Sequence, residues 1–352
     1  MSTSRSRRSF LQSAAALTAG AAIGQPFFVH AGNKSGSKKP VIGEGELIFE
    51  ADHHWGATPD SLAWGATHGI CFDAEGLVYI THQSNAKTPC DAIAVFKPDG
   101  EFVRSFGKEF HGGGHGLDIR SEGGEQFLYL SDIKHDLIVK LTLKGEEVWR
   151  IEIPTESGVY EDNPKYTPTN VAFLPDGGFV VGDGYGSSYL HIYDGDANYV
   201  KTFAGPGNEL GKCKTPHGLW WDDRPGREAA LAVADRSNGR IEYFTAGGEA
   251  IDEVPCTPRP CDFDTHGEYA VVPDMWARLV FLNGKNETVC AIGGEQNWID
   301  QVLADKLAMR RNPDRWPAGR FIHPHDAAFD ADGNVYVVEW VATGRITKLR
   351  RV

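Results

Sequence analysis

His325-Asp-Ala-Ala-Phe-Asp-Ala-Asp-Gly-Asn-Val-Tyr-Val-Val338 sets the reading of the whole chain. A short apolar segment leads into an Asp-Gly turn, and a run of Val and Tyr follows. β-Branched and aromatic residues favour extended strands and Asp-Gly favours a tight hairpin, so the stretch reads as two antiparallel strands. The pattern recurs near the N-terminus in His68-Gly-Ile-Cys-Phe-Asp-Ala-Glu-Gly-Leu-Val-Tyr-Ile80. Four further copies lie between. They are His115-Gly-Leu-Asp-Ile119 with Gln126-Phe-Leu-Tyr-Leu130, Thr169-Asn-Val-Ala-Phe-Leu-Pro-Asp-Gly-Gly-Phe-Val-Val181, His217-Gly-Leu-Trp-Trp221 with Ala230-Leu-Ala-Val-Ala234, and Cys261-Asp-Phe-Asp264 with Tyr269-Ala-Val-Val272. Six copies spaced roughly 45 to 65 residues apart match the period of propeller blades. The expected fold is all-β, a six-bladed β-propeller.

One helix-like stretch, Trp298 to Arg311, interrupts this pattern before the last copy and reads as an insertion on one face. A propeller must close its ring. Gly45-Glu-Leu-Ile-Phe-Glu50 is expected beside Arg345-Ile-Thr-Lys-Leu349 in the final blade, hiding an edge that otherwise invites aggregation. The propeller is therefore expected over residues 45–352. Residues 32–44, rich in Gly, Ser and Lys, read as a linker. Residues 1–31 read as an export signal. Ser6-Arg-Arg-Ser-Phe-Leu11 resembles the twin-arginine motif, Ala14 to Ile23 is apolar, and Val29-His-Ala31 offers a cleavage site. The apolar run is short for a membrane span. A periplasmic or extracellular protein with no stable span after cleavage is expected.

The formal net charge of −13 disfavours nucleic-acid binding, which needs clustered Lys and Arg. Six cysteines in an exported chain permit disulfides, with Cys256 and Cys261 the nearest pair, whereas Cys71 reads as a buried thiol. No CxxC pair supports a thiolate zinc knuckle.

The aligned copies place His68, His115, Thr169, His217, Cys261 and His325 at one repeat position, near the start of each innermost strand. Equivalent residues of a propeller face a common axis. Four of these six are His, in a chain with only 13 His among 352 residues. Imidazoles converging on an axis suit a divalent transition metal, zinc first, with coordination positions open to substrate; the alternative is a hydrogen-bonded channel lining. His111 and His323 stand close in sequence, either as supports of the ligands or as surface residues. Tyr185, in Gly182-Asp-Gly-Tyr-Gly186, is either a general base or a packed ring. Arg236, in the equivalent turn of the fourth copy, either clamps a carboxylate or pairs with Asp235.

Thr167-Pro-Thr-Asn-Val-Ala172, Gly182-Asp-Gly-Tyr185, Thr215-Pro-His-Gly-Leu219, Ala234-Asp-Arg-Ser-Asn-Gly-Arg-Ile241 and His323-Pro-His-Asp326 together resemble the peptidyl-hydroxyglycine α-amidating lyases. These form the lyase half of the peptidylglycine α-amidating enzyme. The resemblance covers roughly residues 60–350 and implies a six-bladed propeller with NHL-like repeats. It places zinc ligands on His115, His217 and His325, a catalytic tyrosine on Tyr185 and a channel arginine on Arg236. It also implies an axial calcium on the Asp326 carboxylate and the carbonyls of Ile70 and Leu117. The implied reaction is C–N cleavage of a carbinolamide to an amide and glyoxylate, with a small-molecule or peptide substrate carrying a carboxylate. Three positions depart from the family. Gln83 replaces a second arginine, His68 stands where a smaller residue is usual and offers a fourth zinc ligand, and Gly186 replaces a disulfide cysteine. Two other readings compete. A non-catalytic propeller would close its structural metal site with four imidazoles, His68 included. A calcium-dependent lactonase would need carboxylates and Asn at the repeat positions, where His stands instead.

Overall fold

Each copy alternates short apolar runs with Asp and Gly turns, and each folds as an antiparallel meander. A computed structural model of the chain describes residues 39–163 and 165–352. Blade 1 comprises Ala66–Phe72, Val78–Gln83, Ile93–Phe96 and Phe102–Phe106, and blade 2 Gly114–Glu122, Glu125–Asp132, Leu137–Thr142 and Glu147–Ile151. Blade 3 comprises Asn170–Phe173, Phe179–Gly182, Tyr189–Tyr193 and Tyr199–Ala204, and blade 4 Pro216–Asp222, Ala230–Asp235, Arg240–Phe244 and Ala250–Pro255. Blade 5 comprises Asp264–His266, Tyr269–Asp274, Arg278–Leu282 and Thr288–Ile292. Blade 6 has five strands: Pro324–Phe329, Val335–Glu339 and Ile346–Arg351, then Leu47–Asp52 and Val41–Glu44 from the other end of the chain. The first strands of blades 5, 6, 1, 2, 3 and 4 touch in succession along the inner ring. The protein is a six-bladed β-propeller.

Its core lies in wedges between blades rather than on the axis. Trp55, Ile70, Phe96, Tyr336 and Ile346 fill the wedge between blades 6 and 1, and Phe49, Val271, Phe281, Val337 and Leu349 that between blades 5 and 6. This arrangement leaves polar residues at the inner strand starts. Helix α1 (Gln296–Leu307) and a 3-10 turn (Ala308–Arg311) form the expected insertion, anchored by Trp298, Ile299, Val302 and Met309. Among the described residues no helix is long and apolar enough to cross a membrane.

The ring closes as expected, with Phe49 opposite Arg351 and Asp52 opposite Lys348. One boundary shifts. Val41–Glu44, read above as the end of the linker, pairs with the neighbouring strand, Val41 facing Glu50. Ile42 is buried with Cys290 and Ile292 of blade 5, and that burial holds the strand in place. The expected signal over residues 1–31 and linker residues 32–38 lie outside the described residues. A second correction concerns the thiols: all six cysteines are free. Cys261 sits at the axis with its Sγ 3.6 Å from the Arg259 carbonyl, while Cys256 follows the outermost strand of blade 4.

Phe49 is fully buried and stacks on Phe281 at 5.6 Å between centroids, tying the closing strand to blade 5. Phe49→Ala is expected to lower stability by about 3–5 kcal/mol in urea denaturation. An unchanged midpoint would show that closure does not depend on this contact.

Candidate functional site

The site begins with backbone irregularities. In blades 1, 2, 4 and 6 the register of the first strand slips at the histidine: between Thr67 and Ile70, Gly114 and Leu117, Pro216 and Leu219, and Pro324 and Asp326. A β-bulge re-aims the side chain it carries. Glycine follows three of these histidines for a steric reason. A Cβ on Gly116 would lie 2.5 Å from the Thr169 carbonyl oxygen, so the next inner strand approaches where only hydrogen fits.

His115, His217 and His325, from blades 2, 4 and 6, converge. One ring nitrogen from each lies within 4.8 Å of the others, and all three residues are buried. Their ring centroids stand 4.8, 4.8 and 4.7 Å apart. Each Nδ1 contacts a backbone carbonyl of the following blade: Thr169 at 2.8 Å, Cys261 at 2.7 Å and His68 at 3.0 Å. A carbonyl only accepts, so each Nδ1 carries the proton and each Nε2 keeps its lone pair. Burial also disfavours the imidazolium. It pushes His115 down to about 3, and His217 and His325 well below the usual range, with Arg236 and the neighbouring imidazoles adding to the effect. Three neutral, buried imidazoles with convergent lone pairs fit a divalent transition ion.

His68 does not belong to the convergent group of ring nitrogens, although its ring centroid is 4.5 Å from that of His325 and 5.2 Å from that of His115. The carbonyl it would use by analogy, that of His115, accepts the Thr81 hydroxyl at 2.6 Å. His68 Nδ1 is buried without a partner. His323 is also buried; its Nδ1 donates to the Met275 carbonyl at 2.7 Å. His111 is half-buried and is held by Cys90 and Ala86 instead.

Tyr185 and Arg236 come from equivalent turns, between the second and third strands of blades 3 and 4. The Asp183 carboxylate ties down the first turn by accepting from Thr167 N–H at 2.7 Å and Ser187 N–H at 2.6 Å. The Tyr185 hydroxyl lies 2.9 Å from His217 Nε2 and 3.2 Å from His115 Nε2, and accepts from an Arg236 guanidinium nitrogen at 3.1 Å. Arg236 does not pair with Asp235, whose partner is Arg240 at 2.9 Å. Burial raises the Tyr185 phenol, and the Arg236 charge works against that rise. Gln83 donates to the Gly114 carbonyl at 3.3 Å and brings no charge.

Farther along the inner strands a 260 Å³ cavity contains Asp326, with Ile70 on its wall. Leu117 immediately precedes Asp118 in the blade 2 strand. The cavity also holds Asp118, Asp262 and Asp264 and no basic side chain. The sequence reading missed these three acids, although each stands one to three residues beyond the repeat position of its copy. Burial raises Asp326 to about 7 and Asp118 well above the usual range. Asp118 Oδ2 has no partner, whereas Asp326 Oδ2 accepts from Ile70 N–H at 2.9 Å. Oxygen donors without a counter-charge fit a hard cation.

Comparisons with known proteins find distant relatives. Peptidyl-alpha-hydroxyglycine alpha-amidating lyase 1 of Drosophila melanogaster is 25% identical over 314 residues, covering 80% of this chain and 56% of that protein. The peptidyl-glycine alpha-amidating monooxygenase of Mus musculus is 28% identical over 260 residues, covering 70% of this chain and only 24% of that protein. A solved streptogramin B lyase superposes with a TM-score of 0.57 at 15% identity, covering 87% of this chain and 99% of that one, which shows the fold. No family model matches. The chain resembles the α-amidating lyases.

In metal-free protein, nitrogen-15 spectra are expected to show His115 as the neutral Nδ1–H tautomer from pH 7 down to about pH 4. Its protonation begins only as pH falls toward the folded value of about 3. Titration near the ordinary imidazole value would contradict the burial of His115, and an Nε2–H tautomer would contradict its hydrogen bond to Thr169.

Proposed function

We propose that this chain is an exported, zinc-dependent carbon–nitrogen lyase that cleaves an α-hydroxyglycine-type amide into an amide and glyoxylate. One observation carries the reading: the Tyr185 hydroxyl meets two imidazole Nε2 atoms and the Arg236 guanidinium at a single point. His115, His217 and His325 would hold zinc through Nε2. When bound, zinc supplies a Lewis acid that favours ionisation of the substrate hydroxyl. Tyr185, as the phenolate, would take the hydroxyl proton and return it to the amide nitrogen as the C–N bond breaks and the hydroxyl carbon becomes the aldehyde of glyoxylate. Arg236 lowers the cost of a phenolate on Tyr185 and stabilises negative charge beside it. The Asp326 cavity would hold a structural calcium through oxygen donors of the inner strands.

The non-catalytic reading required a site closed by four imidazoles. His68 stands outside the triangle, which favours an open coordination position. The twin-arginine-like N-terminus supports export of the folded chain, and a periplasmic or extracellular location follows from it.

Purified zinc-loaded protein is expected to release glyoxylate from N-benzoyl-α-hydroxyglycine. Tyr185→Phe should lower kcat by about 10²–10⁴-fold, the usual scale for loss of a proton-transfer group. Full activity in a Tyr185→Phe, His217→Ala double variant would sink the proposal. The ligand assignment has its own check in metal content. His115→Ala should lose zinc, whereas His53→Ala, whose imidazole is held by Thr347 and Gly319, should retain it. Equal retention in both would refute the assignment.

A further inference from the structure

The insertion before blade 6 brings a cation without a carboxylate partner among the described residues to the side of His68 and His323. Helix α1 ends with Lys306 and Leu307 both in left-handed backbone, at φ 53° and 63°. Residues with a Cβ rarely adopt that conformation, and here it separates the helix from the 3-10 turn that carries Arg310. The following turn is pinned at several points. Met309 is buried and its carbonyl accepts from Trp316 Nε1 at 2.8 Å. The Arg310 carbonyl accepts from Ala342 N–H at 3.0 Å.

The Arg310 side chain lies on Trp340, its guanidinium carbon 3.2 Å from the ring centroid. Trp340 occupies the blade 6 turn equivalent to those that carry Tyr185 and Arg236, so all three project from one face. Three buried arginine side chains are neutralised, Arg224 by Asp222, Arg240 by Asp235 and Arg345 by Glu339, whereas Arg104 and Arg236 make only neutral hydrogen bonds. Arg310 has no carboxylate and no side-chain hydrogen bond among the described residues, and its Nε is buried without a partner. His68 Nδ1 and His323 Nε2 are likewise buried and unpartnered, and the Arg310 charge bears on both imidazoles. The His323 ring lies 5.7 Å from Trp340, and the His68 ring lies 4.5 Å from His325.

A guanidinium held over an indole ring by its carbon can still offer its terminal N–H groups to a carboxylate. Leaving such a charge half-buried and unpaired is unfavourable, and an anionic ligand removes the penalty. Arg236 already donates to Tyr185. We infer that Arg310, laid on Trp340 beside His68 and His323, is the substrate-binding residue that takes the carboxylate of the substrate and of the glyoxylate product. This rests on the lyase reading for the identity of the carboxylate, but not for the existence of an anion subsite.

The test is glyoxylate binding to the zinc-loaded full chain by titration calorimetry, beside turnover of N-benzoyl-α-hydroxyglycine. Arg310→Gln is expected to weaken glyoxylate binding about tenfold or more, the loss of one charge-assisted contact, and to raise KM in the same sense. Arg310→Lys should restore part of the binding, and zinc content should not change. Trp340→Leu keeps the charge and removes its platform, so it should also weaken binding if Arg310→Gln proves unstable. The inference is overturned if wild-type protein does not bind glyoxylate, or if the variants bind it as tightly as wild type does. Arg310-dependent binding without any turnover would contradict the lyase reading alone and leave the carboxylate subsite standing.

Discussion

The hydrogen bond from each axial Nδ1–H to a carbonyl of the next blade is the constraint on which the rest depends. It fixes the tautomer, so Nε2 keeps a lone pair on the axis. It also joins blade 2 to blade 3, blade 4 to blade 5, and blade 6 to blade 1. Ligand orientation and blade docking are therefore one interaction. The β-bulges aim the imidazoles, and the glycines that follow allow neighbouring inner strands to come close enough for the carbonyls to be reached.

Burial acts on the two clusters in opposite directions. It makes the imidazoles harder to protonate and the carboxyls harder to ionise. Both clusters are thereby left with electron pairs that a cation would satisfy. The difference in donor chemistry separates the cations: nitrogen donors at the strand starts suit a transition ion, and oxygen donors farther along suit a hard one. The apolar core does not compete for the axis, because it fills the wedges between blades. Arg236 supplies positive charge beside the three imidazoles, and the charge of Arg310 bears on the neighbouring His68 and His323.

Much of this was legible in the sequence because a propeller converts repeat position into radial position. His115, His217 and His325 stand in register in the linear chain, and so do the turns of Tyr185 and Arg236. The sequence did not separate His68 from the other three, because the distinction lies in ring orientation: His68 Nδ1 makes no hydrogen bond to the next blade's carbonyl, which accepts from the Thr81 hydroxyl instead. Asp118, Asp262 and Asp264 went unremarked because an acid near a strand start reads as ordinary turn chemistry until the strands are arranged in a ring. Val41–Glu44 looked like linker because Ile42 carries its only large burial signal alongside Val41. Cys256 and Cys261 are near in sequence, but one follows an outer strand and the other faces the axis. Arg310 sits in an insertion, outside the repeat, where register gives no guidance.

X-ray absorption at the zinc edge, on protein purified without added metal, tests the central claim most directly. The account predicts one zinc per chain with three imidazole nitrogens at about 2.0–2.1 Å and one further light-atom ligand. A spectrum fitted by four imidazoles, or by sulfur from Cys261, or a preparation that binds no zinc at all, would contradict it.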